Sequence, residues 1–102
     1  MKECCREFLN GQFGGDEDIV NEIYAEYVSS THQKIQDSLA QLSSHDWGLL
    51  DRTAHTLKGN ALAAGDADLA NVAIELRSAA KLQNEEEASK LISQMKDLAA
   101  GL

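Results

Sequence analysis

The sequence predicts an all-α fold: an antiparallel four-helix bundle with a short extra helix at the N-terminus. Three observations predict it. The 102 residues include no Pro and only seven Gly, against many Ala, Leu, Glu, Gln and Lys, a composition that favours helix over strand. Apolar residues recur at gaps of three and four along four stretches, and no useful length alternates with a period of two. Short polar breaks separate the stretches, as expected between antiparallel neighbours. A single domain over residues 1–102 is expected, with 1–12 as N-terminal helix and turn and 16–102 as the bundle.

The elements follow in order. A short helix is expected over residues 1–10, with Cys5, Phe8 and Leu9 on one side, broken by Gly11-Gln12-Phe13-Gly14-Gly15. Asp16 then reads as an N-cap, with Glu17 and Asp18 in the first turn, where the helix dipole favours negative charge. Val20, Ile23, Tyr24, Tyr27, Val28, Thr31, Ile35, Leu39 and Leu42 mark one long amphipathic helix over roughly 17–43. Ser43-Ser44-His45-Asp46 is a polar break, and Ser44 or Asp46 caps the next helix, roughly 46–64. Its stripe of Trp47, Leu50, Ala54, Leu57, Ala61 and Ala64 is the sharpest in the chain. Gly65 stops that helix and Asp66 caps the following one, roughly 67–82, which carries Leu69, Val72, Ala73, Leu76 and Ala80. Gln83-Asn84 is a turn, Glu85, Glu86 and Glu87 open the last helix, and Ala88, Leu91, Ile92, Met95, Leu98 and Ala99 form its stripe.

Composition excludes several function classes. Seventeen acidic residues against nine Lys and Arg give a net charge of −8, which disfavours nucleic acid and anionic membranes as partners. No apolar run approaches the roughly 20 residues of a membrane span. Met1-Lys2-Glu3-Cys4-Cys5-Arg6-Glu7 lacks the apolar core of a signal peptide, so a cytoplasmic location with reduced thiols is expected. Cys4 and Cys5 are neighbours and poorly placed for a relaxed disulfide; with no C-x-x-C pair there is no zinc ligand set. Nothing in the pattern demands a dimer, and a monomer is expected.

The helix over 46–64 displays something on its other face. At about 100° per residue, Leu50, Ala54, Leu57, Ala61 and Ala64 lie roughly 100–180° from His55, so His55 points off the core. On its side of the helix lie Gly48 and Asp51 before it, Lys58, Gly59 and Leu62 after it, with Arg52 flanking. A surface His, a surface Lys and a lone exposed Leu are each ordinary. Gly59 is not, because a mid-helix glycine costs roughly 1 kcal/mol relative to Ala. Such a residue beside an exposed imidazole removes a side chain so that a partner can approach. A neutral imidazole carries a free lone pair and is a nucleophile, and Lys58 is a cation one turn away, placed to stabilise an arriving phosphoryl group. Residues 3–26 hold seven acids and one base while 46–64 balance at zero, which keeps the acid burden off this face. His32 and His45 lack a Lys and Gly at helical spacing and read as structural or solvated.

His55-Thr56-Leu57-Lys58-Gly59-Asn60-Ala61 resembles the H-x-L-K-G-x-[SA] signature of histidine-containing phosphotransfer (HPt) domains of two-component signalling. Ala54, Gly65, the Leu69…Glu75-Leu76 segment and the acidic start at Asp16 are similar to the family pattern; Asn60 stands where the family often has Ser. The resemblance implies a phosphocarrier that takes a phosphoryl group from the phosphoaspartate of one receiver domain onto Nε2 of His55 and passes it to another. It implies that Lys58 contacts the phosphoryl group, that Gly59 leaves room for the receiver, and that the only Mg²⁺ involved is the receiver's. Gly48, Asp51, Arg52 and Leu62 are expected, from their positions around His55, to line the docking surface. No cofactor is expected; autonomous kinase activity is not expected because the chain has no nucleotide-binding loop, nor phosphatase activity, because only the receiver supplies the acid and the metal.

Three other readings bear on the bundle. A di-metal carboxylate bundle needs Glu-x-x-His pairs, and no Glu lies three residues before any histidine. A non-catalytic adaptor explains the fold but leaves Gly59 and Lys58 unexplained. The phosphate-accepting module of a chemotaxis-type histidine kinase would share the site and differ in what surrounds it.

Overall fold

A computed structural model describes all residues 1–102 and holds five helices: α1 (Glu3–Phe13), α2 (Glu17–Ser43), α3 (Trp47–Ala64), α4 (Ala67–Lys81) and α5 (Glu85–Ala100). Helices α2 to α5 close an antiparallel ring in which α2 packs on α3, α3 on α4, α4 on α5 and α5 on α2, while α1 lies against α2 and α3. The bundle measures 42 × 20 × 18 Å. None of its helices is long and apolar enough to cross a membrane.

Four starts are set by side-chain caps: Asp16, Asp46 and Asp66, which the sequence offered, and Asn84, which it placed only in a turn. Asp16 accepts from Ile19 N, Asp46 from Leu49 N, Asp66 from Leu69 N and Asn84 from Glu87 N. Each bond satisfies one of the amides left unpaired in a first turn and contributes about 1 kcal/mol. The ends of α1 and α3 fall on Gly14 and Gly65, both left-handed, at φ 62° and 76°.

Two local expectations are corrected. The first helix does not break at Gly11: it runs on to Phe13 and stops at Gly14-Gly15, where φ is 62° and 78°. One glycine inside a helix is a tolerable cost, whereas two consecutive left-handed residues end it. Leu39 leaves the core stripe of α2 and is 41% exposed, and Ser38 is buried instead, its hydroxyl donating to the Lys34 carbonyl. At about 100° per residue Leu39 falls roughly 40° to one side of Ile35, while Tyr27, Thr31, Ser38 and Leu42 all fall on the other.

The core is one cluster of 23 buried hydrophobic residues. Helices α3 and α4 make the closest pair, because Ala54, Ala61, Ala64, Ala70, Ala73 and Ala80 are all buried and present little more than backbone. Leu50, Leu57, Leu69 and Leu76 are fully buried around them, each contributing about 2 kcal/mol by the area it removes from water. Phe8 of α1 lies over Gly65, where a Cβ would sit 2.3 Å from the Phe8 Cβ. Gly65 is thus required both for its backbone angle and for the space that Phe8 fills.

Asp66 does more than cap α4. It is wholly buried and accepts from Tyr27 Oη at 2.8 Å and from Lys2 Nζ at 2.7 Å, while the Lys2 amide donates to Tyr24 Oη at 3.2 Å. Residues 64 and 39 positions apart in sequence therefore meet on one carboxylate, joining α1 and α2 to the α3–α4 turn. Burial alone would lower the Lys2 ammonium, but the bond to Asp66 and its charge raise it above the ordinary 10.5. Burial first, and the Asp66 charge second, push the neighbouring Cys5 thiol up to about 12. Tyr27 is raised too, by burial and then by its bond to Asp66.

Candidate functional site

With the alanine-rich side of α3 sunk in the bundle, its opposite side is free. His55, Arg52, Gly59 and Leu62 are exposed, Leu62 by 54%. Lys58 and Asp51 are half-buried at the edge of the same face. Gly48 is exposed in the first turn of α3. A Cβ built on Gly48 or Gly59 would meet nothing within 4 Å, so neither glycine is required by packing inside the chain. The 100° arithmetic thus places all seven candidate residues on or beside the outer face of α3.

Two of the seven are joined by a residue the sequence reading missed. Arg77 of α4 donates from Nε to Asp51 Oδ1 at 3.0 Å, and its Nη1 lies 3.1 Å from His55 Nδ1. Asp51 and His55 are one turn apart on α3, so a single guanidinium spans both. Asp51 is consequently committed to Arg77 rather than free for a visitor. The sequence signal for Arg77 was slight: it follows the core residue Leu76 and so sits at the flank of the α4 stripe. That the flank faces His55 depends on how α3 and α4 cross.

Beside His55, Lys58, Ile74, Arg77, Ser78 and Lys81 line an open depression between α3 and α4. Three of these five residues are cationic, and Lys58 forms no ion pair within the chain. A phosphoryl group on the adjacent ring would meet positive charge on this side. Ile74 and Leu62, 49% and 54% exposed, frame the polar groups with apolar surface. Asn60 faces the other way and donates from Nδ2 to Ser30 Oγ at 3.1 Å, tying α3 to α2.

The other histidines stand in different settings. His32 is exposed on α2, and His45 occupies the α2–α3 turn at φ 56° with Nε2 3.2 Å from Glu85 Oε2. No group of three or more His, Cys, Asp or Glu side chains is arranged to hold a metal ion. Cys4 is exposed and Cys5 buried, both as free thiols.

The molecule is thus an all-helical bundle that leaves one side of α3 uncovered, with His55 exposed on it. The chain belongs to the Hpt domain family, whose model matches residues 22–102. The match takes in all of α3, α4 and α5 and most of α2, and leaves α1 outside it. Neither curated proteins nor solved structures give a significant match to the chain. Membership places the protein in histidine phosphotransfer within two-component systems.

Proposed function

We propose that the protein carries a phosphoryl group on His55 between receiver domains. The supporting observation is the pairing of an exposed imidazole with a bare stretch of helix at Gly59, on the one face of α3 that no other helix covers. Nε2 of His55 attacks the phosphorus of a receiver's aspartyl phosphate. The N–P bond forms, the aspartyl O–P bond breaks, and the carboxylate departs; the ring then releases its Nδ1 proton to water. Delivery to a second receiver reverses these changes.

Lys58 stabilises the charge on the transferred group. Gly59 and Gly48 let the receiver's loops approach the helix, and Arg52 and Leu62 contribute polar and apolar docking surface. Asp51 contributes through Arg77. The receiver's own acidic pocket supplies Mg²⁺; this chain works without a cofactor, as a monomer in the cytoplasm, and neither makes nor hydrolyses the phosphoryl bond on its own.

The experiment incubates the protein with a receiver domain already phosphorylated by a small-molecule donor. Acid-labile, base-stable label should appear on the wild-type chain. His55→Gln should take up none while keeping its helical circular dichroism, and Lys58→Ala should be slowed by roughly tenfold with the fold intact. Label retained by His55→Gln at the wild-type rate would move the site elsewhere.

A further inference from the structure

The bond from Arg77 to His55 constrains which ring nitrogen holds the proton. A guanidinium has donors only and never gives them up. Its Nη1 can therefore bond to His55 Nδ1, at 3.1 Å, only when Nδ1 holds a lone pair. In the neutral ring the proton then sits on Nε2. Phosphoryl transfer needs the opposite arrangement. To attack, Nε2 must hold the lone pair, which puts the proton on Nδ1. To discharge, the leaving ring must depart as neutral imidazole, which again requires a proton on Nδ1 as the Nε2–P bond breaks and its electron pair returns to Nε2. Between those events, the phosphorylated ring with Nδ1 unprotonated accepts the Arg77 bond without conflict.

We propose that Arg77, braced by Asp51, is a positioning residue that acts as a two-way brake: it holds His55 in the resting and phosphorylated states and must release Nδ1 for phosphoryl transfer in either direction. The inference rests on the carrier reading for its purpose, which is to keep the phosphoryl group from leaking to water between partners. The bracing is direct. The same guanidinium that reaches Nδ1 is held through Nε by Asp51 Oδ1 at 3.0 Å. Asp51 and Arg77 are each only about a quarter exposed, at 26% and 28% of the side chain, so the pair is partly shielded while the ring it holds is open. A visiting receiver that draws Arg77 toward its own carboxylates, or toward the phosphoryl oxygens, would free Nδ1 at the moment of transfer.

The test uses the whole chain with ¹⁵N-labelled histidine, phosphorylated by phosphoramidate so that no receiver is needed. In the wild type, His55 should show a single tautomer with the proton on Nε2. In Arg77→Gln, whose amide can either donate to or accept from Nδ1, the two tautomers should average. The phosphohistidine half-life near neutral pH should shorten at least threefold in Arg77→Gln and Arg77→Ala, and less in Asp51→Asn. Uptake of label from a phosphorylated receiver should quicken by a similar factor. A wild-type ring that populates both tautomers, an unchanged half-life in Arg77→Gln, or slower uptake in that variant would each overturn the brake; the last would make Arg77 a phosphoryl clamp. If no receiver labels the wild-type chain, the carrier reading fails, while the tautomer and half-life measurements still judge Arg77.

Discussion

Two small polar networks sit at different depths of this bundle, and each joins a carboxylate, a cation and a ring-bearing side chain drawn from at least two elements. In one, Asp66 takes Lys2 and Tyr27, and the carboxylate is sealed from solvent. In the other, Asp51 holds Arg77, which reaches an exposed His55. By helical rise His55 lies roughly 14 Å along α3 from Ala64, beyond which the turn carries Asp66. Burial separates their roles. Inside, a carboxylate is tolerable only with its partners in place, so the Asp66 network makes the position of α1 a condition of folding. At the surface water can replace any partner, so the Asp51 network can open and close at small cost and is available for chemistry.

The largest expected effect breaks the comparison most directly. Asp66→Ala removes a cap and leaves Tyr27 Oη buried without a partner, and should cost about 3 kcal/mol in urea unfolding. Asp51→Ala should cost less than about 1 kcal/mol in the same assay. Equal losses would mean that depth does not distinguish the two networks.

The pH dependence of stability sharpens the point. Cys5, Tyr27 and Lys2 are all raised in the folded state above ordinary values of 9.0, 10.0 and 10.5. A raised group holds its proton in the folded chain after the unfolded chain has lost it, so its contribution is full below the ordinary value and declines as pH rises beyond it. The urea midpoint should therefore begin to fall as pH passes the thiol's ordinary 9.0 and continue downward toward about 12. Cys5→Ala should delay the onset, and Lys2→Met should flatten the upper part; a midpoint indifferent to alkali would show that folding does not raise these groups.

The smallest effect concerns the exposed face alone. Gly59→Ala adds a methyl group into open space and should raise stability by about 0.5–1 kcal/mol through helix propensity. Gly59→Leu should weaken receiver binding, read by titration calorimetry, while leaving the helical signal unchanged. A Gly59→Leu chain that binds as tightly as wild type would show that the bare backbone serves no visitor.

Much of this organisation was legible in the residues. Asp16, Asp46 and Asp66 announce their helices because an unpaired first-turn amide needs an acceptor at a fixed offset. The exposure of His55 followed from angular arithmetic on Leu50, Ala54, Leu57 and Ala61, all of which are buried. The two misreadings have separate local causes: a single glycine such as Gly11 does not end a helix as the left-handed pair Gly14-Gly15 does, and Leu39 turns off the side on which the buried residues of α2 lie.

By itself the sequence determined the helices, their caps and the face on which His55, Lys58, Gly59 and Leu62 lie, because these depend on offsets of a few residues within one helix. Only the tertiary structure decided that Arg77 reaches His55, that Lys2 and Tyr27 share Asp66, and that Phe8 needs the space at Gly65. Those meetings join residues from 22 to 64 positions apart, or depend on how a neighbouring element lies against a turn. Helical periodicity says which way a side chain points, and only the crossing of two helices says what it meets.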